Sequence, residues 1–216
     1  MLPKYSLRAL ALASAAIGAV ALGAQAHNHE GDSDTAAYAN LEGKVAAGEY
    51  VMDKGHGYVT FSYSHLGFSN PQLRYRDIDA NLQLDPANLE ASTLSVTIAA
   101  DSIDTGVDIF DDHLNSADWF NTAEFPEITF TSTSFDQTAD GAGHVVGDLT
   151  IMGTTKEVVL DVELLAAGKH PLNGKDTVGI DATATVLRSD FGLGNYAPNV
   201  SDEVEIVISA EFNKAG

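Results

Sequence analysis

Residues 145–165, VVGDLTIMGTTKEVVLDVELL, read as two strands joined by a short loop: Val145 to Met152, then Gly153-Thr154-Thr155, then Lys156 to Leu165. A glycine-bearing loop of this length between two β-branched runs is a hairpin signal, and a hairpin makes neighbouring strands antiparallel. The same period of two recurs on both sides. Val59, Phe61, Tyr63 and His65 alternate with Thr60, Ser62 and Ser64, and Ile78, Ala80, Leu82 and Leu84 alternate with Asp77, Asp79, Asn81 and Gln83. Leu94, Val96, Ile98 and Ala100 form another such face, Ile128 and Phe130 begin one, and Val178 to Val186 and Val204 to Phe212 complete the set. Asp85-Pro86, Asp140-Gly141 and Asn173-Gly174 punctuate the runs as turns. Eight antiparallel strands, each with one apolar face, close into a barrel or stack as a sandwich. Several inward positions are small (Ala80, Ala100, Ala182, Ala184 and Ala210), which suits either a void for a ligand or close dry packing.

One stretch breaks the period. In residues 110–126, FDDHLNSADWFNTAEFP, Phe110, His113, Leu114 and Ala117 recur at helical spacing, with Trp119 and Phe120 directly after. An aromatic-rich helix in a β chain reads as a lid or plug over something.

The ends of the chain set its compartment. Lys4 and Arg8 precede an apolar run from Ala9 to Gly23 and then Ala24-Gln25-Ala26, the order of a secretory signal peptide cleaved after Ala26. That run is shorter than the roughly twenty residues of a transmembrane helix. The expectation is a periplasmic protein without stable membrane insertion. Residues 27–48 are Ala-, Asp-, Gly- and Asn-rich without a period, a mobile acidic leader, and residues 49–216 form one domain. With no cysteine, disulfides and thiolate metal sites are excluded, so stability rests on a core. Two of the 11 basic residues leave with the signal peptide; nine then face 31 acidic ones, a net charge near −22 that argues against nucleic acid as a partner.

The ordered set of markers resembles the YceI-like proteins, exported bacterial proteins with a lipocalin-like antiparallel barrel that bind polyisoprenoid or related long amphiphilic lipids. It runs from Tyr50 with Asp53 and His56, through His65-Leu66-Gly67, Asp85-Pro86, Thr105, Asp111 to Phe120, Phe125-Pro126 and Phe130, to Gly147 through Gly153 and Arg188 through Gly192. The resemblance implies an all-β, eight-stranded barrel with a helical lid. It implies a non-enzymatic carrier that needs no cofactor and holds a long-chain isoprenoid or fatty amphiphile, a quinone-like or polyprenyl lipid. It also leaves room for a homodimer. The family usually has an arginine where this chain has Phe110, which implies a mouth suited to a neutral head group.

Candidate ligand-binding residues follow. Phe61, Tyr63, Phe68, Phe110, Leu114, Trp119, Phe120, Phe125, Phe130, Phe191 and Tyr196 are expected to line a tail tunnel or to be plain core. His65 and His113 are either core histidines bonded to backbone carbonyls or a pair at the mouth that bonds a ligand oxygen. With Asp111 they could instead serve as acid–base groups of an enzyme acting on bound lipid. Asp111 and Asp112 could hold His113 in one tautomer, and Asp111 could equally stabilise the helix start. Arg188 is expected in an internal salt bridge within Arg188-Ser189-Asp190, or else against a head group. Cleavage after Ala26 would expose His27-Asn28-His29, an amine, amide and imidazole set that suits Cu(II) or Ni(II), so a copper-handling role is a further alternative. No G-x-S-x-G or H-E-x-x-H occurs, and Asp77-x-Asp79-x-Asn81 lacks the glycine and glutamate of a calcium loop.

Overall fold

Alternation along Ile78–Leu84 produces a strand whose even-numbered residues are buried and whose odd-numbered ones face water. This pattern builds the fold described by the computed structural model, which covers residues 41–216. The signal peptide, His27 and His29 lie outside the described residues.

The strands are β1 (Gly48–Ser62), β2 (Gln72–Tyr75), β3 (Ile78–Leu84), β4 (Thr93–Ala99), β5 (Ile103–Asp104), β6 (Glu127–Ala139), β7 (Ala142–Ile151), β8 (Thr154–Lys169), β9 (Asp176–Leu187) and β10 (Glu203–Lys214), with helix α1 (Asp108–Asn115) between β5 and β6. The sheet order is β10-β9-β8-β7-β6-β4-β3-β1-β2-β5, and β10 also pairs with β1, so the sheet closes. The barrel has eight staves because two are broken. The first half of β1 pairs with β3 and the second half with β2, and β5 continues on β2 where β4 leaves β3. The eight-stranded antiparallel barrel expected from the sequence is therefore the observed fold.

β1 must satisfy neighbours on both sides, and it does so by changing face. Tyr50 and Met52 point inward at one end, Val59 and Phe61 at the other, a change of parity that needs an irregularity. The register with β10 shifts between Met52 and Gly57, where a β-bulge absorbs it. At Gly57 the flexible Met52 thioether lies in the space that a β-carbon would otherwise take. The irregularity also hid the first half of β1 from its sequence pattern.

The founding hairpin is real, but its loop is shorter than expected, starting one residue earlier and ending two earlier. Ile151 pairs with Thr154, so Met152-Gly153 alone make the turn, both with positive φ (49° and 70°). Those angles define a type I′ turn, whose twist matches antiparallel strands, while the β-branched Thr154 and Thr155 extend β8. Helix α1 likewise is shorter than the 110–126 stretch. It ends at Asn115, and turns carry the chain to Pro126.

Packing extends beyond the barrel proper. Leu41 packs against the core and Val45 is buried, so packed structure takes in the last residues assigned by composition to the leader. Tyr50 is 0% exposed and donates its hydroxyl to the Ala46 carbonyl at 2.6 Å, and the Ala46 amide donates to Asp176 at 3.2 Å. Lys169 meets Asp176 at 2.7 Å, and Lys214 donates to the Ala47 carbonyl and lies 5.2 Å from the Tyr50 ring centre. This buckle closes one end of the barrel, and burial pushes the Tyr50 phenol up to about 12. Tyr50→Phe is expected to cost about 1 kcal/mol of stability and Tyr50→Ala about 3–5 kcal/mol, read from urea unfolding.

A second clamp holds the broken staves. The Asp104 carboxylate accepts hydrogen bonds from Arg74 (2.7 Å), Arg76 (2.9 Å) and the Gly106 amide (3.0 Å), which tie β2 to β5. These bonds, the Arg74 one first, lower its pKa to about 2. A carboxylate with a depressed folded-state pKa stabilises above its unfolded value near 4 and loses that contribution as pH falls toward 2. Asp104→Asn is therefore expected to lower the unfolding temperature at neutral pH and to flatten its decline between about pH 4 and pH 2.

Candidate functional site: an apolar cavity under an aromatic lid

The inward side chains of the staves do not meet across the barrel axis. They leave a cavity of about 450 Å³, within the size range of small-molecule sites. Its wall is almost wholly aliphatic and aromatic: Leu82, Val96, Ile98, Val158, Ile206 and Ile208 are typical. Three of the small inward residues, Ala80, Ala182 and Ala210, border it, so here alanines do open space. Gly147 admits Phe130, because a methyl at this position would fall on the Phe130 ring and within 2.6 Å of the Thr131 carbonyl oxygen.

Opposite the Tyr50 buckle, three segments cover the other end: residues 63–71, 105–126 and 188–202. They are joined to one another. Ser64 and Ser201 exchange hydrogen bonds at 2.8 and 2.9 Å, and the Leu66 amide donates to the Asn199 carbonyl at 3.0 Å. The Asn195 side chain donates to the Asp118 carbonyl at 3.3 Å. Across this mouth runs a chain of rings: Phe110 to His113 at 6.4 Å, His113 to Trp119 at 5.6 Å, and Trp119 to Tyr196 at 6.2 Å. Leu114 is buried beneath them and anchors α1 to the core.

Most of the expected residues gather here. Phe61, Tyr63, His65, Phe110, His113, Leu114, Trp119, Phe120, Phe130, Arg188, Phe191 and Tyr196 all line the cavity. Two expected residues do not. Phe68 is 90% exposed on the loop beyond β1, where the bridge between His65 and Ser69 turns the chain outward. Phe125 does not line the cavity; its ring packs over Gly153, at the β7–β8 turn.

Several finer expectations change as well. His65 lies past the end of β1, and both it and His113 are exposed at the mouth with no hydrogen-bond partner for their rings among the described residues. They are not core histidines. Asp111 accepts from the Thr105 amide at 2.8 Å, so it fastens α1 to the preceding loop; no bond to His113 forms. Arg188, 8% exposed, forms no salt bridge among the described residues. Its guanidinium donates to the carbonyls of Ser201 (2.8 Å), Val200 (2.9 Å) and Leu193, and so rivets the 188–202 segment, while Asp190 instead faces Lys156 at 3.9 Å. Ser189 bonds to Asp202 hold that carboxyl below its usual range, with the Arg188 charge adding to the effect.

Tyr75 was missed by the sequence reading, although Leu73 and Tyr75 alternate with the exposed Gln72 and Arg74 of β2. It lines the cavity between Phe61 and Phe120. On the outer wall, Asp53, His56 and Glu211 bring three possible metal-ligand atoms within 4.8 Å of one another. No described helix is long and apolar enough to cross a membrane.

The chain thus folds as a closed antiparallel barrel with one stapled end, an apolar interior and a lidded mouth. The chain belongs to the YceI-like domain family, whose profile matches residues 50–212. It is 37% identical over 171 residues to Protein YceI of Escherichia coli, covering 78% of this chain and 88% of that protein. The crystal structure of the Campylobacter jejuni YceI protein matches with a TM-score of 0.65 at 32% identity, over 71% of this chain and 90% of that one. A polyisoprenoid binding domain from Saccharophagus degradans, implicated in plant cell wall breakdown, shares the fold at 13% identity and a TM-score of 0.61, over 79% of this chain and all of that one.

Trp119 is the single tryptophan, so intrinsic tryptophan fluorescence reports on the mouth alone. Filling the cavity with a long-chain amphiphile is expected to shift its emission to the blue and to reduce its quenching by acrylamide. A titration followed at 295 nm excitation checks this, with Leu82→Asp, which places a charge on the cavity wall, as the variant that abolishes the change.

Proposed function

We propose that the protein is a periplasmic carrier that holds one long isoprenoid or similar amphiphile, its tail in the barrel and an uncharged head such as a quinone at the mouth. The observation that carries the reading is the 450 Å³ cavity with its apolar wall and single lidded mouth. Each methylene moved from water into such a wall contributes about 0.8 kcal/mol, so a branched tail of several isoprene units gains more than its ordering costs. The family membership and the fold shared with a polyisoprenoid binding domain support the same ligand class. The leading apolar segment with its Ala-Gln-Ala supports export.

Selection of the head group follows from charge at the mouth. Phe110 brings apolar surface, and the three carbonyls on Arg188 engage its cation. An anionic head would lose water against Phe110 and meet no free lysine or arginine, since Arg188 is the one such residue lining the cavity and its donors are engaged. Carriage is favoured over catalysis because Asp111, the acid needed beside His113, is engaged by the Thr105 amide.

Lipid extracts of the purified protein, analysed by mass spectrometry, are expected to contain a long-chain isoprenoid. Absence of any such lipid, together with no binding on titration, overturns the reading. Between ligands of equal tail length, a polyprenyl quinone is expected to bind at least tenfold more tightly than a polyprenyl diphosphate, and Phe110→Arg is expected to narrow that gap. Preference for the diphosphate in the unaltered protein overturns the assignment of a neutral head.

A further inference from the structure

Tyr75 is 7% exposed and lines the upper cavity, yet its hydroxyl has no hydrogen-bond partner among the described residues. The contrast with Tyr50 is instructive, since that buried phenol donates to a carbonyl at 2.6 Å. A phenylalanine at position 75 would stack equally well on Phe61, at 5.5 Å and 27°, and meet Phe120 edge-on at 6.5 Å. The hydroxyl therefore adds nothing to packing, and it borders the cavity without a protein partner among the described residues. Its position is also held firmly. Arg74 and Arg76, on either side of it in sequence, reach the Asp104 carboxylate and bind β2 to β5, while Val59 and Ile103 flank Tyr75 in register on the neighbouring strands.

We propose that Tyr75 is a specificity-determining hydrogen-bond donor inside the barrel, and that the bound ligand carries an uncharged carbonyl oxygen, of quinone or ketone type, seated against it directly beneath the lid. Burial drives the phenol pKa far above its usual range, so the group stays protonated and acts as a donor throughout the pH range of the folded protein. The surrounding wall of Phe61, Leu73, Ile78 and Phe120 offers an anion no compensating charge, whereas a neutral carbonyl enters at little cost and receives one directed bond. A pure hydrocarbon would leave the hydroxyl unpaired. The ligand's oxygen and not its tail thus sets the depth at which the head stops. This inference rests on the cavity being the isoprenoid site.

The test compares the full-length exported protein with Tyr75→Phe, using two probes of equal polyprenyl tail length in the same detergent: a benzoquinone and an oxygen-free polyprene. The quinone is expected to bind Tyr75→Phe about tenfold more weakly, while the polyprene changes by less than about twofold. The infrared carbonyl band of the bound quinone is expected to lie lower in the unaltered protein than in the variant. Without ligand, Tyr75→Phe is expected to unfold at the same or a higher temperature. Unchanged quinone affinity with an unchanged carbonyl band overturns the proposal and leaves the carrier reading standing, as does equal weakening of both probes. If the unaltered protein binds neither probe, the carrier reading falls and this proposal falls with it.

Discussion

Closure of the sheet through β1 is the constraint on which the rest depends. A barrel has no spare edge, so β1 must pair with β10 along its length while serving β3 at one end and β2 at the other. The bulge between Met52 and Gly57 lets one strand do this with inward residues at both ends. Once closed, the interior volume is set by strand number, and side-chain size decides what remains. Ala80, Ala182 and Ala210 give up volume that larger residues would fill, and the cavity is the result.

Such a cavity leaves wall atoms without dispersion partners, a cost that the rest of the structure must offset. The offset is concentrated where polar groups can be fully paired. At one end Tyr50, Asp176, Lys169 and Lys214 form a connected buckle; on the side, Asp104 binds two arginines and an amide. Arg188 does the same for the 188–202 segment with backbone carbonyls. The apolar interior is framed by these clamps, and within it the Tyr75 hydroxyl has no partner among the described residues.

Much of this was legible in the sequence because period-two alternation directly encodes which face of a strand is buried. Ile78 through Leu84 shows it without error. Alternation fails where the backbone departs from regular pairing. The bulged half of β1, rich in glycine, carried no clean pattern, and the mostly polar second half of β6, Thr131 to Ala139, offered Phe135 as its one large apolar residue, too few to reveal a period. The turn at Met152-Gly153 was read as starting one residue late and ending two late, because a methionine with positive φ has no sequence signature. At the site, helical spacing correctly placed Phe110, His113 and Leu114 together, whereas Phe68 and Phe125 were chosen for aromatic character alone. Composition cannot say which way a loop ring points. Tyr75 escaped because the four-residue β2 is too short for periodicity to stand out, although its inward parity with Leu73 was present.

The two ends of the barrel differ in what it costs to open them. Opening the buckled end breaks the Tyr50 hydroxyl bond and separates Asp176 from Lys169 and the Ala46 amide, leaving several polar groups to find new partners together. At the other end the chain Phe110, His113, Trp119 and Tyr196 meets through ring faces and edges, with the bond from Asn195 to Asp118 as a polar link from the 188–202 segment to the helical lid. Separating rings strands no donor or acceptor, and an entering apolar chain replaces the lost contacts as it slides between them. Local opening follows the weakest set of cooperative contacts, which here is the aromatic lid. The aromatic lid is thus the end that opens at the lower cost, and the buckle is the end held shut by paired polar groups.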